Sequence, residues 1–251
     1  MRLSFTDDFR PFLEGDLATK SEIGVILPTY CEAANIEKLI TEIEGLNLSL
    51  SILVIDDSSP DGTGIITRAL QRKHSSILLF TRPGKTGLGT AITDGFKVFL
   101  SLKNPPKYIV TMDADYSHNP KDVLGLVSAA KKGNGLAIGS RYCRGGRIVN
   151  WSLFRLMTSR VANSIASVIV KARIHDYTSG LRCYSTKLVR AIVKDLHSQT
   201  YEIQIETIRQ ARLRNFNIRE VPIAFTNRKK GKSKLSTNEI KQFLSYILLK
   251  I

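Results

Sequence analysis

Apolar positions along this chain follow two rhythms. Short unbroken apolar runs at 23–28, 52–55, 77–80, 107–112 and 135–139 end in glycine, proline, acidic or other polar residues. Runs of that length fit strands buried on both faces. Between them the spacing turns helical. Ile36, Leu39, Ile40 and Ile43 share one helical face, and Gly45 is placed to stop that helix. Helices are expected near 62–73 and at about 88–101, the latter carrying Ala91, Phe96 and Phe99. Pro120 opens another, with Val123, Leu126, Val127 and Ala130 on its buried face. This alternation predicts an α/β fold, a mostly parallel sheet with helices on both sides.

After residue 145 the pattern changes. Residues 151–172 are rich in large apolar side chains but broken by Arg155, Arg160 and Lys171. That segment reads as too polar to span a bilayer. It suits an interfacial helix over about 151–171, lying on a membrane with arginines at head-group level, or else a core helix. A helix at about 201–214, a strand at 218–225, a basic loop at 227–234 and an amphipathic segment at 237–251 follow. Residues 1–20 read as a polar lead-in. With no evident linker, 21–235 is expected to be one domain, with 236–251 as a C-terminal amphipathic helix.

Composition narrows the partners. The net charge of +15 asks for an anionic one: nucleic acid, a membrane face or a phosphorylated substrate. Three cysteines, odd in number and widely spaced, argue against a disulfide framework and for a reducing compartment. No signal peptide is visible, and no run reaches the roughly 18–20 apolar residues of a membrane span.

The candidate chemistry lies where apolar runs end. At 110–120 the chain reads Val-Thr-Met-Asp-Ala-Asp-Tyr-Ser-His-Asn-Pro. In extended backbone Asp113 and Asp115 would point the same way, and two close carboxylates repel unless a cation sits between them. Hard cations such as Mg²⁺ or Mn²⁺ prefer such oxygens, with substrate phosphates completing the shell. Two further runs end in Pro28-Thr29-Tyr30-Cys31-Glu32 and in Asp56-Asp57, which suggests parallel strands feeding one crevice. Gly84-Lys85-Thr86 is no Walker A loop, because Leu79 stands where its first glycine belongs. Gly87-Leu88-Gly89 lacks the third glycine of a dinucleotide fingerprint, so 84–91 reads as a turn into a helix.

With the segments PTYCE (28–32), IDDSSPDGT (55–63), GLGTA (87–91), MDADYSHNP (112–120), GSRY (139–142), SGLRCY (179–184) and NRKKGKSKL (227–235), the chain resembles glycosyltransferase family 2. Within it, the chain is similar to the dolichyl-phosphate mannosyltransferases. The resemblance implies a GT-A fold and transfer of mannose from GDP-mannose to dolichyl or another polyprenyl phosphate, with inversion. It implies that Pro28, Tyr30, Glu32, Ile55 and Asp57 hold the nucleoside, and that Ala114 packs close to the donor. Asp113 and Asp115 would hold the metal and diphosphate, with Ser117, shorter than the glutamine of some relatives, as a weak third ligand. Arg228 and Lys234 would sit in a loop closing over the diphosphate, while Arg141 and Arg155 would grip the acceptor phosphate. Asp115, Arg141 and Arg228 are then the catalytic candidates. His118 reads more readily as a structural loop residue than as a base or ligand.

No general base stands out, and none is required if the acceptor is a phosphate, already ionised near neutral pH. Glu202 and Glu206, one helical turn apart, are the candidates should the acceptor be a sugar hydroxyl; otherwise they read as structural. Expected partners are the two substrates, a membrane surface and small membrane-anchoring subunits, at the cytosolic face of a membrane. That would be the endoplasmic reticulum in a eukaryote or the plasma membrane in a prokaryote. A polyprenyl-phosphate glucosyltransferase using a UDP-sugar is the same-class alternative. A nucleic-acid-binding protein would explain the charge but not four acidic residues at strand ends.

Overall fold

The computed structural model describes residues 12–227 apart from 19 and 134. An eight-stranded mixed sheet forms its centre, in the order β1-β4-β3-β2-β5-β8-β6-β9. The strands are β1 (Leu13–Glu14), β2 (Ile23–Thr29), β3 (Leu50–Asp56), β4 (Ile77–Thr81), β5 (Tyr108–Thr111), β6 (Leu136–Ser140), β8 (Arg182–Ser185) and β9 (Ile218–Pro222). A separate two-stranded ribbon pairs β7 (Arg147–Val149) in parallel with β10 (Ala224–Thr226). The helices are α1 (Ala33–Glu44), α2 (Thr63–Gln71), α3 (Leu88–Ser101), α4 (Asp122–Gly133), α5 (Leu153–Val170), α6 (Thr186–Ile192) and α7 (Ile203–Leu213).

Both sheet faces are covered, which is why the central strands read as unbroken apolar runs. Successive side chains take opposite faces. Ile26, Leu53 and Ile55 join Phe96 and Phe99 of α3 on one side. Val25, Leu27 and Val54 join Ile36, Leu39, Ile40 and Ile43 of α1 on the other.

Parallel pairing holds for β4-β3, β3-β2, β2-β5 and β6-β9. It fails at β8, which is antiparallel to both β5 and β6. The sequence pattern did not announce that strand, because Arg182 opens it and is fully buried. Two further expectations need correction. The polar lead-in contributes a short edge strand, β1, antiparallel to β4. The single strand expected at 218–225 is two, because the chain leaves the main sheet at Ile223 and enters the ribbon.

Helix α5 is fastened by one face only. Asn163 Nδ2–H donates to Thr178 Oγ1 at 3.2 Å, and Asn163 Oδ1 accepts the Tyr177 N–H at 2.6 Å. Ala166 and Val170 are buried beside it, whereas Leu153, Phe154, Met157, Val161 and Val168 are 58–80% exposed. At 3.6 residues per turn those five fall within one arc of about 100°. By length and composition alone Leu153–Val170 reaches the lower limit for a membrane-crossing helix, contrary to the expectation that no segment does.

Candidate functional site

Strands β3, β2 and β5 are neighbours and parallel, so their carboxyl ends open into one crevice. That crevice brings together Pro28 near the end of β2, Tyr30 and Glu32 after it, Asp57 after β3, and Asp113, Ala114 and Asp115 after β5. Four carboxylates therefore face one cleft in a strongly basic chain.

Each acid is set differently. Glu32 is buried, and its Oε2 accepts the Asn35 amide at 2.9 Å. Asp57 is buried, and its Oδ1 accepts from Arg82 Nε–H at 2.6 Å. Asp115 Oδ1 accepts the Ser117 N–H at 3.0 Å, a local turn that orients its carboxylate. Strand β5 ends at Thr111 and the chain bends from residue 114, so a bend and not strand alternation brings the two acids to one cleft. Asp113 is the more open acid, its side chain 37% exposed.

Gly180 lies against Asp113: a Cβ there would stand 3.1 Å from both carboxylate oxygens. Glycine thus leaves free space beside the acid. That space, beside two carboxylates, fits a hard divalent cation. Among the described residues no three His, Cys, Asp or Glu side chains form a metal cluster, so donor phosphate oxygens would have to complete the shell.

Other expected residues lie elsewhere. Ile55 is fully buried and packs toward Gly95, so its side chain belongs to the core and not to the nucleoside pocket. Ser117 is buried behind Asp115 and does not line the cleft. His118 is also buried, its ring edge-on to Phe225 with centroids 5.0 Å apart and Nε2 3.5 Å from Asp113 Oδ2. It backs the acid and is closed off from a substrate proton. Arg228, Lys234 and the segment 236–251 lie outside the described residues.

The two candidate acceptor arginines do converge. Both guanidinium groups approach the rings of Trp151 and Phe225, Arg155 at 4.1 Å from the Trp151 centroid and Arg141 at 5.3 Å. Arg141 does not present an open fork, however. Its Nε–H and Nη2–H both donate to Asp176, at 2.7 Å each, and Nη2–H also donates to Thr178 Oγ1 at 2.6 Å. Among the described residues, Nη1 is the nitrogen left for a ligand. Burial alone would push the Asp176 carboxyl up, but the Arg141 charge and hydrogen bonds outweigh it and hold the carboxyl below the usual range. Arg155 Nη1–H donates to Asn227 Oδ1 at 2.8 Å.

Glu202 and Glu206 are tied to backbone. Glu202 accepts the N–H groups of Gln199 and Thr200, and Glu206 accepts those of His197 and Ser198. Their role is to shape the loop before α7, where Glu202 also accepts from the Thr200 hydroxyl.

That loop supplies what the sequence reading missed. Lys85, Gly87, Leu88 and Tyr201 also line the cleft. The 84–91 turn is therefore a wall of the site. The Lys85 ammonium stands 5.7 Å from the Tyr30 ring centroid. A lysine beside Gly-x-Gly at a helix start was the available signal.

Residues 24–211 match the Glycosyl transferase family 2 model. The chain is 37% identical over 220 residues to a polyprenol monophosphomannose synthase of Mycolicibacterium smegmatis, covering 87% of this chain and 82% of that one. It is 36% identical over 213 residues to an undecaprenyl-phosphate mannosyltransferase of Micrococcus luteus, covering 84% and 86%. Among solved structures, glucosyl-3-phosphoglycerate synthase from Mycobacterium tuberculosis, in complex with Mn²⁺, UDP and phosphoglyceric acid, superposes with a TM-score of 0.68 at 18% identity, covering 92% and 80%. A mannosyltransferase from Pyrobaculum calidifontis, in complex with GDP-Man and Mn²⁺, does so at 0.57 and 16%, covering 88% and 60%. These two likenesses show the GT-A-like fold.

Proposed function

The chain belongs to glycosyl transferase family 2, and from that premise we propose that it transfers mannose from GDP-mannose to dolichyl or another polyprenyl phosphate with inversion. The observation that carries this reading is the juxtaposition of two features. An acidic cleft with room for a cation sits at the strand ends, and an uncovered apolar helix face adjoins the paired arginines. The names of the two relatives at 36–37% identity support both sugar and lipid acceptor.

The residues divide the work between donor and acceptor. Tyr30, Glu32 and Asp57 receive the nucleoside, since carboxylates accept hydrogen bonds from ribose hydroxyls and from the N–H edge of guanine. Asp113 and Asp115 would hold Mg²⁺ or Mn²⁺, which when bound supplies charge neutralisation for the departing diphosphate. Arg155 and the remaining Nη1 of Arg141 receive the acceptor phosphate. That phosphate is ionised near neutral pH and can attack the anomeric carbon directly in one inverting displacement. A general base is then unnecessary, in keeping with the backbone-bound state of Glu202 and Glu206.

The exposed stripe of α5 lies on the membrane surface in this reading, at its cytosolic face, and small anchoring subunits could share that surface. Cys31, Cys143 and Cys183 form no disulfide among the described residues. Leu153→Ser and Phe154→Ser should reduce binding to anionic vesicles several-fold with unchanged circular dichroism, because those side chains are 79% and 80% exposed. Undiminished vesicle binding would remove the docking role.

The deciding experiment offers radiolabelled GDP-mannose, UDP-glucose and UDP-GlcNAc separately with polyprenyl phosphate and Mn²⁺ or Mg²⁺. Lipid-extractable label is expected from GDP-mannose. Label from a UDP-sugar instead would overturn the donor assignment and keep the acceptor one.

A further inference from the structure

Arg82 stands behind the cleft rather than in it. It follows β4, and its guanidinium is 4% exposed. Nε–H donates to Asp57 Oδ1 at 2.6 Å, Nη1–H to Thr90 Oγ1 at 2.8 Å and to Asp94 Oδ2 at 3.3 Å, and Nη2–H to the Gly87 carbonyl at 3.3 Å. Two of these partners, Asp57 and Gly87, line the cleft. One buried cation therefore joins the acid after β3 to the wall at the start of α3.

That wall has little freedom of its own. Gly87 adopts φ +106°, and a Cβ there would stand 2.3 Å from the Gln199 carbonyl oxygen. Gly89 N–H donates to the same oxygen at 2.9 Å. The 199–202 loop is in turn fixed by Glu202. Asp94, the second acid against Arg82, has its carboxyl pushed up by burial, with the Arg82 charge opposing. Among the described residues, the guanidinium that Asp57 faces is that of Arg82. Its Oδ1 is occupied, while Oδ2 has no hydrogen bond among the described residues.

We infer that Arg82 is a positioning residue for nucleotide-sugar recognition: by holding Asp57 Oδ1 and the Gly87 carbonyl, it turns Asp57 Oδ2 toward a hydroxyl or N–H of a nucleoside diphosphate. This rests on Asp57 being the nucleoside contact proposed above. Arg82 touches no substrate and acts through Asp57.

The test is a double-mutant cycle on the full chain, read by calorimetry with GDP and with UDP in the presence of Mn²⁺. Arg82→Gln should weaken binding of the preferred nucleotide about tenfold or more, the scale of a lost hydrogen bond to a charged group. Asp57→Asn should weaken it comparably. In the Asp57→Asn background, Arg82→Gln should add less than about twofold, because residues acting through one contact are not additive. Arg82→Lys, which keeps the charge and loses the fork, should fall between wild type and Arg82→Gln, and it carries the test if Arg82→Gln does not fold. An equal loss in both backgrounds would overturn the inference, since a general structural role does not depend on Asp57. Wild-type affinity in Arg82→Lys and Arg82→Gln would overturn it too, as would wild-type affinity in Asp57→Asn. If the wild-type chain binds neither nucleotide, the donor reading falls and this inference with it.

Discussion

Asp113→Asn and Asp115→Asn are each expected to cut turnover by about 10²-fold or more, the loss seen when charge stabilisation of a leaving group is removed. The substitutions test chemistry and not folding. Asparagine matches aspartate in size, and at 115 its carbonyl can still accept the Ser117 N–H that shapes the turn. Asp113 needs no such help, being the more open of the two acids. Chelation of divalent cations should abolish activity, and Mn²⁺ or Mg²⁺ should restore it. Steady-state transfer of labelled mannose to lipid phosphate measures all three effects. Full activity in excess EDTA would remove the metal from the reaction.

The second large effect is on stability. Asp176→Ala should cost about 3–5 kcal/mol in denaturant unfolding, because it strands the Arg141 cation in a site only 7% exposed. The wild-type pair has a pH signature. The Asp176 carboxyl is held below its ordinary value in the folded chain. Its contribution is therefore present above the unfolded value of about 3.9 and lost as pH falls through the lower folded value. Asp176→Asn should lack that portion of the acid dependence. Replacing both partners with apolar residues, Arg141→Met with Asp176→Leu, should recover the part lost to the stranded cation but not the hydrogen bonds that Asp176 accepts from the Arg141 and Thr178 N–H groups, and not turnover. A loss below about 1 kcal/mol for Asp176→Ala would show that the pair does not anchor the 176–178 segment to the end of β6.

Some of this was open to view in the sequence. Strands β2, β3 and β5 are buried on both sides, so they could be read from apolar runs alone. Their carboxyl ends carry the acids for the same reason: the apolar run stops where the chain reaches the cleft. The buried arginines that the sequence did not announce depend on partners that only the fold brings together. Arg182 sits fully buried because Ser179, Tyr177, Gln204 and Thr207 accept from its guanidinium, and no local pattern announces such compensation. Arg82 and Asp57 are 25 positions apart, and Arg141 and Asp176 are 35 apart. Ile55 shares a sheet face with Leu53, and its side chain joins the same core cluster.

The placement of β6 has a consequence for how the chain is made. Its two sheet neighbours, β8 and β9, both come later in sequence, the second 82 residues on by the Leu136–Ile218 register. The β1–β5 side pairs strands that have all been synthesised by residue 111. As the nascent chain emerges, β6 waits unpaired until the reverse strand and then β9 arrive, and long-range pairings of that kind close slowly. For that interval an apolar strand with open edges is exposed, the condition under which chaperones bind and misassembly begins. A chain stalled short of residue 218 would therefore leave the ribosome with one side of its sheet formed and the other unable to close.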